Sequence, residues 1–283
     1  MRRILLSAVV VAWMAPMALA QGGGVSWQRS APATTPELKL FHSTHAISLP
    51  TAEVLNAGEF QFEISHRFIP PVSDGYDALY GLDGPVNMRI GLGYAPVNGL
   101  FLVIARSNLT DNTDLQAKWQ VLEVPGESLP FILAVQAGGA WNTAKRADRD
   151  RGDARNFQGY AQLIINTMIR KRLAIGAVPS VVRNSDINSP DTENLFALGL
   201  YGQVYVNRLL SLVAEWTPDL GGEGAPEQAA AFGFELETGG HFFKIFATNS
   251  VEINPSQYLV GTAQDFNPDN WRLGFMITRL LIL

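Results

Sequence analysis

Four histidines, a single Ser-His dipeptide and a set of charged residues spread through apolar sequence are where this chain could do chemistry. His42 and His45 could bring two imidazoles to one metal ion, with His66 or a carboxylate as the further ligand such a site needs. Polar hydrogen bonding near one rim of the fold explains the pair more simply, so no metal ligand is assigned. Ser65 and His66 come nearest to a nucleophile and its base. Neighbours on a strand point to opposite faces, however, and cannot serve one another. His241 would need a register that brings it to Ser211 or Thr217. No G-x-S-x-G, H-E-x-x-H, phosphate-loop or EF-hand pattern occurs, and no catalytic residue or cofactor is expected.

A different set recurs with regular spacing. Glu63, Arg67, Arg89, Lys118, Glu215, Glu235, Lys244 and Arg272 each sit among alternating apolar residues. They share their register with Gln61, Gln116, Gln120, Gln158, Gln162 and Gln203. Such groups can line a water-filled passage and set its selectivity. They can equally pair with one another and fill the interior. Arg89, for instance, is either a pore charge or the partner of Glu63 in a closed core.

The elements that carry these residues are strands. From 58 to 68, Phe60, Phe62, Ile64 and Phe68 alternate with Gln61, Glu63, Ser65 and Arg67. From 86 to 94, Val86, Met88, Ile90, Leu92 and Tyr94 oppose Asn87, Arg89, Gly91 and Gly93. From 114 to 122, Leu115, Ala117, Trp119 and Val121 oppose Gln116, Lys118 and Gln120. Further strands are expected at 100–107, 131–141, 157–169, 173–183, 196–206, 209–217, 229–237, 241–249 and 271–283. Two of these, 100–107 and 173–183, are apolar on both faces. Most of the twelve run 8 to 11 residues, about what a tilted strand needs to cross a bilayer.

The connections alternate between long and short, the asymmetry of barrels with short periplasmic turns and longer outer loops. A soluble sandwich has no reason to turn Phe, Leu, Trp and Ile outward on strand after strand, opposite mid-strand charges. The fold expected is all-β: a closed antiparallel transmembrane barrel of about 12 strands. Composition agrees, since 17% charged residues falls well below the roughly 25% of average soluble domains. With no cysteine there is no disulfide framework and no thiol chemistry.

The N-terminus reads as a processing signal. Arg2 and Arg3 precede an apolar stretch over 4–19, and Ala18-Leu19-Ala20 fits a cleavage site. Residues 1–20 are therefore expected to be a signal peptide, 21–57 an N-terminal periplasmic lead-in, and 58–283 the barrel. Within the lead-in, 39–49 reads as extended and 51–56 as a possible helical turn. Removing 1–20 takes two arginines and no acid from a chain of net charge −5, which leaves −7. That balance argues against nucleic acid. Outer-membrane lipid and small solutes or ions are the expected partners; no protein partner can be read. In the loop 142–156, Lys145, Arg146, Arg149, Arg151 and Arg155 face Asp148, Asp150 and Asp153, which reads as a solvated, self-screened loop.

Several short motifs carry a resemblance. They are Thr44-His45, Leu49-Pro50-Thr51-Ala52, Ile64-Ser65-His66-Arg67-Phe68, Tyr80-Gly81-Leu82-Asp83, Asn87, Arg89-Ile90-Gly91-Leu92-Gly93-Tyr94, Lys118-Trp119 and Thr248-Asn249-Ser250. In these the chain resembles an uncharacterised family of bacterial outer-membrane β-barrel proteins, a domain of unknown function. The resemblance implies a barrel and brings no activity. In 271–283, Trp271, Phe275, Ile277, Leu281 and Leu283 share one face and resemble a terminal insertion signal, although Arg279 interrupts that face. The expectation is an outer-membrane protein serving as a narrow channel or small-solute binder. The alternatives are a filled barrel acting as a scaffold and, third, a lipid-active enzyme.

Overall fold

The computed structural model describes residues 38–281 apart from 128, 190 and 221–226. The proposed signal peptide and residues 21–37 therefore lie outside the described residues, as do Leu283 and its neighbour at the C-terminal end. Twelve strands form where the period-two pattern places them. They are β1 (Phe60–Phe68), β2 (Val86–Val97), β3 (Leu100–Ser107), β4 (Asn112–Val124), β5 (Phe131–Asn142) and β6 (Phe157–Ile169), followed by β7 (Leu173–Arg183), β8 (Asn194–Tyr205), β9 (Leu210–Thr217), β10 (Ala229–Glu237), β11 (His241–Thr248) and β12 (Arg272–Leu281). Each pairs antiparallel with its sequence neighbours. β1 also pairs with β12, from Phe60 opposite Leu281 to Arg67 opposite Gly274, and the sheet closes. Closure leaves no unpaired strand edge, the condition for crossing hydrocarbon with strands.

One end carries the tight connections 98–99, 125–130, 170–172, 206–209 and 238–240. The other carries 69–85, 108–111, 143–156, 184–193, 218–228 and 249–271. By the usual asymmetry of such barrels the short-turn end is periplasmic. Along each strand, apolar side chains such as Phe62, Ile90, Leu92, Ile104, Leu115, Trp119 and Ile245 are exposed on the outer surface. Their alternates point into the bore and are buried. Glycine lets large rings lie flat against the inner wall. Tyr160 covers Gly138 and Tyr201 covers Gly176, where an added Cβ would come within 2.3 Å of a ring carbon in each case.

Residues 38–57 are not a periplasmic lead-in. They enter the bore at the short-turn end, reverse, and leave by the same end to begin β1. At the mouth, the Leu38 amide donates to Glu123 and the Ala57 amide to Asn98. The reversal is a hairpin with a bridge between His45 and Pro50, closed by the Ala46 amide on the Leu49 carbonyl (2.8 Å) and the Thr51 amide on the Thr44 carbonyl (3.0 Å). Nor does 51–56 form a helical turn; its backbone stays open and its polar groups are met by the wall. Leu40, Phe41, Ile47 and Leu49 are at most 1% exposed and pack on Ile132, Ile164, Ala174 and Val178 of the wall.

This accounts for the two strands that are apolar on both faces. The inward residues of β7 (Ala174, Val178, Val182) meet the apolar side of the hairpin, and inward Phe101 of β3 packs with Val54 and Leu55. A second intrusion comes from the long-loop end. The connection 249–271 carries a short helix, α1 (Pro255–Tyr258), and sends Tyr258 and Leu259 into the same interior cluster.

Candidate functional site

Every one of the eight charged residues singled out from the sequence is buried on the inner face. Three of them, Glu215, Lys118 and Lys244, hold the backbone of the hairpin. At its tip, three successive amides converge on Glu215 of β9: Ile47 (3.1 Å), Ser48 (2.8 Å) and Leu49 (3.0 Å). Consecutive N–H groups forming a concave nest are a backbone anion site, and here the wall supplies the anion. Lys118 of β4 does the reverse. Its ammonium donates to the carbonyls of Thr44 (3.1 Å), Thr51 (2.8 Å) and Glu53 (3.0 Å). A hairpin tip without a sheet to join must satisfy its polar groups elsewhere, and these side chains meet that need.

A second ionic group lies on β10 and β11. Lys244 donates to Ser43 Oγ (2.7 Å) and to the His45 carbonyl (2.5 Å), and lies 3.2 Å from Glu235. Glu235 in turn accepts from Ser43 Oγ (3.1 Å) and from Gln203 (2.7 Å). A third group spans β1, β2 and β4. Arg89 bridges Glu63 (2.9 Å) and Asp114 (3.0 Å), while the other Glu63 oxygen faces His45 Nδ1 at 3.4 Å. Arg89 is thus paired with both Glu63 and Asp114 on the inner face. Arg67 donates to Ser48 Oγ (2.8 Å) and lies over the Phe246 ring at 4.3 Å. Arg272 sits apart at the outer rim, where its Nε donates to the Ile69 carbonyl (2.7 Å).

The histidines do not converge. His42 Nδ1 faces Glu235 at 3.3 Å, whereas His45 turns to Glu63 and Thr44. His66 points outward and stacks on Phe275, with ring centroids 4.4 Å apart, while Ser65 is buried on the inner face. His241, on the outer face, stacks on Phe243, whereas Ser211 points inward to Gln203. No Ser–His pair forms from these candidates.

Three residues of the interior network escaped the sequence reading. Asp114 needed only one more step of the alternation that placed Gln116 and Lys118. Asn166 of β6, which accepts from the Ala52 amide at 2.6 Å, also lies on a regular inward position. Glu53 had no periodic signal. It belongs to the hairpin, where its carboxylate accepts from the Leu40 and Phe41 amides (2.8 and 3.0 Å). In the loop 143–156, Asp153 pairs with Arg155 at 3.0 Å and Arg146 donates to Asn188 Oδ1 of the next outer loop at 3.0 Å.

A closed sheet with an apolar outer band and an ionic interior defines an outer-membrane β-barrel with an occupied bore. The chain belongs to the family described as membrane bound beta barrel domain (DUF5777), whose model matches residues 41–281. The matched region includes most of the hairpin as well as all twelve strands. Similar solved structures include a NanC porin (10% identity, TM-score 0.46, 79% of this chain and 99% of that one). A COG4313 outer membrane channel from Pseudomonas putida F1 is similar at 11% identity and TM-score 0.49, over 81% of this chain and 98% of that one. The outer membrane protein Omp33 of Acinetobacter baumannii is similar at 10% identity and TM-score 0.36, over 81% and 100%. At such identities the likeness concerns fold alone. No curated protein matches the chain in sequence.

Proposed function

We propose that the protein is a channel closed at rest by its own residues 38–57, without enzymatic activity, and opened to small polar solutes or ions when that hairpin is displaced. The signal peptide 1–20 is removed on export in this reading. The observation that carries it is the chemistry of the grip. Glu215, Lys118 and Lys244 hold backbone groups of the hairpin, and water can take the hairpin's place at each of them. A permanent core gains as much or more stability from apolar side chains of similar volume.

One observation favours the scaffold reading instead. Leu40, Phe41, Ile47 and Leu49 are almost fully buried, and exposing each costs about 1.5–3 kcal/mol. Full withdrawal is therefore beyond thermal reach, and opening requires partial displacement or a trigger.

Planar-bilayer conductance separates the two. The chain should be mostly silent, and Glu215→Ala, which removes the acceptor of the tip amides, should add openings. An added Cβ at Gly199 would lie 3.2 Å from Leu49 Cγ, so a Leu49→Cys/Gly199→Cys pair suits a disulfide across hairpin and wall. In the Glu215→Ala background, oxidation of that pair should abolish the openings and reduction should restore them. Conductance indifferent to the disulfide rejects gating by the hairpin. A folded Glu215→Ala barrel that stays silent makes the protein a filled scaffold.

A further inference from the structure

At the short-turn mouth, beside the point where the hairpin enters, lies a pocket of about 400 Å³. Two tight turns form its basic side. Arg170 and Lys171 take left-handed backbone conformations (φ 51° and 56°) between β6 and β7, and the neighbouring turn carries Arg208. Lys171, Arg172 and Arg208 line the pocket together with Lys39 of the hairpin, and no carboxylate is in the lining. Lys171, Arg172 and Arg208 make no side-chain hydrogen bond or ion pair among the described residues. In a mature chain of net charge −7, that concentration of cations is unusual.

The rest of the lining is apolar or aromatic. Leu40, Met168 and Val206 contribute aliphatic surface, and the rings of His42 and Tyr205 lie 4.5 Å apart. The volume falls within the usual range for small-ligand sites and exceeds what inorganic phosphate would fill. Arginine forks and lysines match phosphate oxygens, and the apolar side suits a stem attached to that phosphate.

We propose that this mouth pocket binds a phosphate group carried on a short apolar stem, supplied either by a soluble phosphate ester or by the headgroup of an inner-leaflet phospholipid. The ligand would touch Lys39 and Leu40 of the hairpin and the turns of the barrel at once. The inference does not rest on the channel reading, because binding is measured whether or not the barrel conducts.

The test uses the full mature chain in phosphatidylcholine nanodiscs, titrated calorimetrically with phenyl phosphate. Saturable binding weakened at least tenfold in Lys171→Gln/Arg172→Gln/Arg208→Gln, and unchanged in Lys145→Gln/Arg146→Gln of the outer loop, supports a soluble phosphate ester. Absence of phenyl phosphate binding, with phosphatidylglycerol retained through detergent exchange by the native chain and lost by the triple variant, supports the lipid headgroup. Neither ligand binding, or equal weakening by the outer-loop variant, overturns the proposal. Retained heat-modifiable migration on gels establishes that each variant is a folded barrel.

Discussion

Residues 38–57 and residues 249–271 both fold into the bore, one from the short-turn end and the other from the long-loop end, yet the wall holds them by different chemistry. The hairpin is gripped by ions: Glu215 on amides, Lys118 and Lys244 on carbonyls. Inside the bore the outer intrusion is held from the wall by neutral groups, and Arg272 reaches it at the rim, donating to Gln264 Oε1 (3.4 Å). Asn87 donates to the Val251 carbonyl at 2.7 Å, and Ser256 Oγ donates to Gln158 at 3.0 Å. Tethering differs as well. The outer intrusion is fixed at both ends to adjacent strands, whereas among the described residues the hairpin is joined to a strand only at β1. A segment anchored at both ends needs only modest polar contacts to stay in place. One tethered on a single side is held by charge-assisted bonds, which are roughly twice as strong as neutral ones.

That contrast can be broken most forcefully at Arg89. Arg89→Ala leaves Glu63 and Asp114 buried without their shared cation, a loss of about 3–5 kcal/mol. Urea unfolding should show a clearly lower midpoint, and amide exchange should rise in 43–51 more than in 253–259. Equal loosening of both intrusions would mean that Arg89 supports the whole wall and has no particular bearing on the hairpin.

Glu215→Ala should act more locally. A buried donor left without its acceptor costs about 1–3 kcal/mol, so exchange of the Ile47, Ser48 and Leu49 amides should rise by about tenfold to a hundredfold. The barrel's unfolding midpoint should move much less. Protection unchanged at these three amides would show that Glu215 does not hold the tip.

Ser256→Ala probes the neutral grip. Gln158 keeps a second donor in Asn142 at 2.9 Å, so the loss should be about 0.5–1.5 kcal/mol, seen as faster exchange in 253–259 with 47–49 unaffected. A response as large as that of Glu215→Ala would erase the distinction between the two grips.

The smallest effect belongs to an ion pair outside both intrusions. Arg155 beside Asp153 holds that half-buried loop carboxyl down to about 2. The pair's contribution is present above the ordinary carboxylate value near 3.8 and is lost as the pH falls toward about 2. Asp153→Asn should flatten any stability change within that window and lower the neutral-pH midpoint only slightly, as expected of a solvent-screened pair. A shift at pH 7 well beyond that of a solvent-screened pair would show that the outer loops brace the barrel.

The strands and the inward charges were legible because a membrane barrel writes its two environments in alternation, lipid on one side and lumen on the other. Phe62 beside Glu63 and Ile90 beside Arg89 could hardly be read another way. The hairpin was illegible for the converse reason: it touches neither lipid nor a repeating partner, so nothing imposes a period on it. Its trace was nonetheless present on the wall. The inward apolar residues of β3 and β7 blurred the alternation because they face the hairpin's Val54, Leu55, Ile47 and Leu49. Two-faced apolar strands in an otherwise alternating barrel thus mark something apolar inside. The mouth pocket could not be read in advance, since its cations come from two turns and a hairpin that only the closed sheet brings together.

The position of the hairpin also bears on how quickly the barrel can close. The β1–β12 seam joins residues as distant as Phe60 and Leu281, and contacts of such separation are slow to find. The hairpin leads directly into β1 and touches Lys244 on β11, the strand next to β12. Once Ser43 and His45 have found Lys244, the two edges of the seam are already neighbours, and the remaining search is short. If the hairpin docks first, it acts as a former around which the sheet curls, and refolding of a chain lacking 38–57 should then show a slower seam closure than its final stability would suggest.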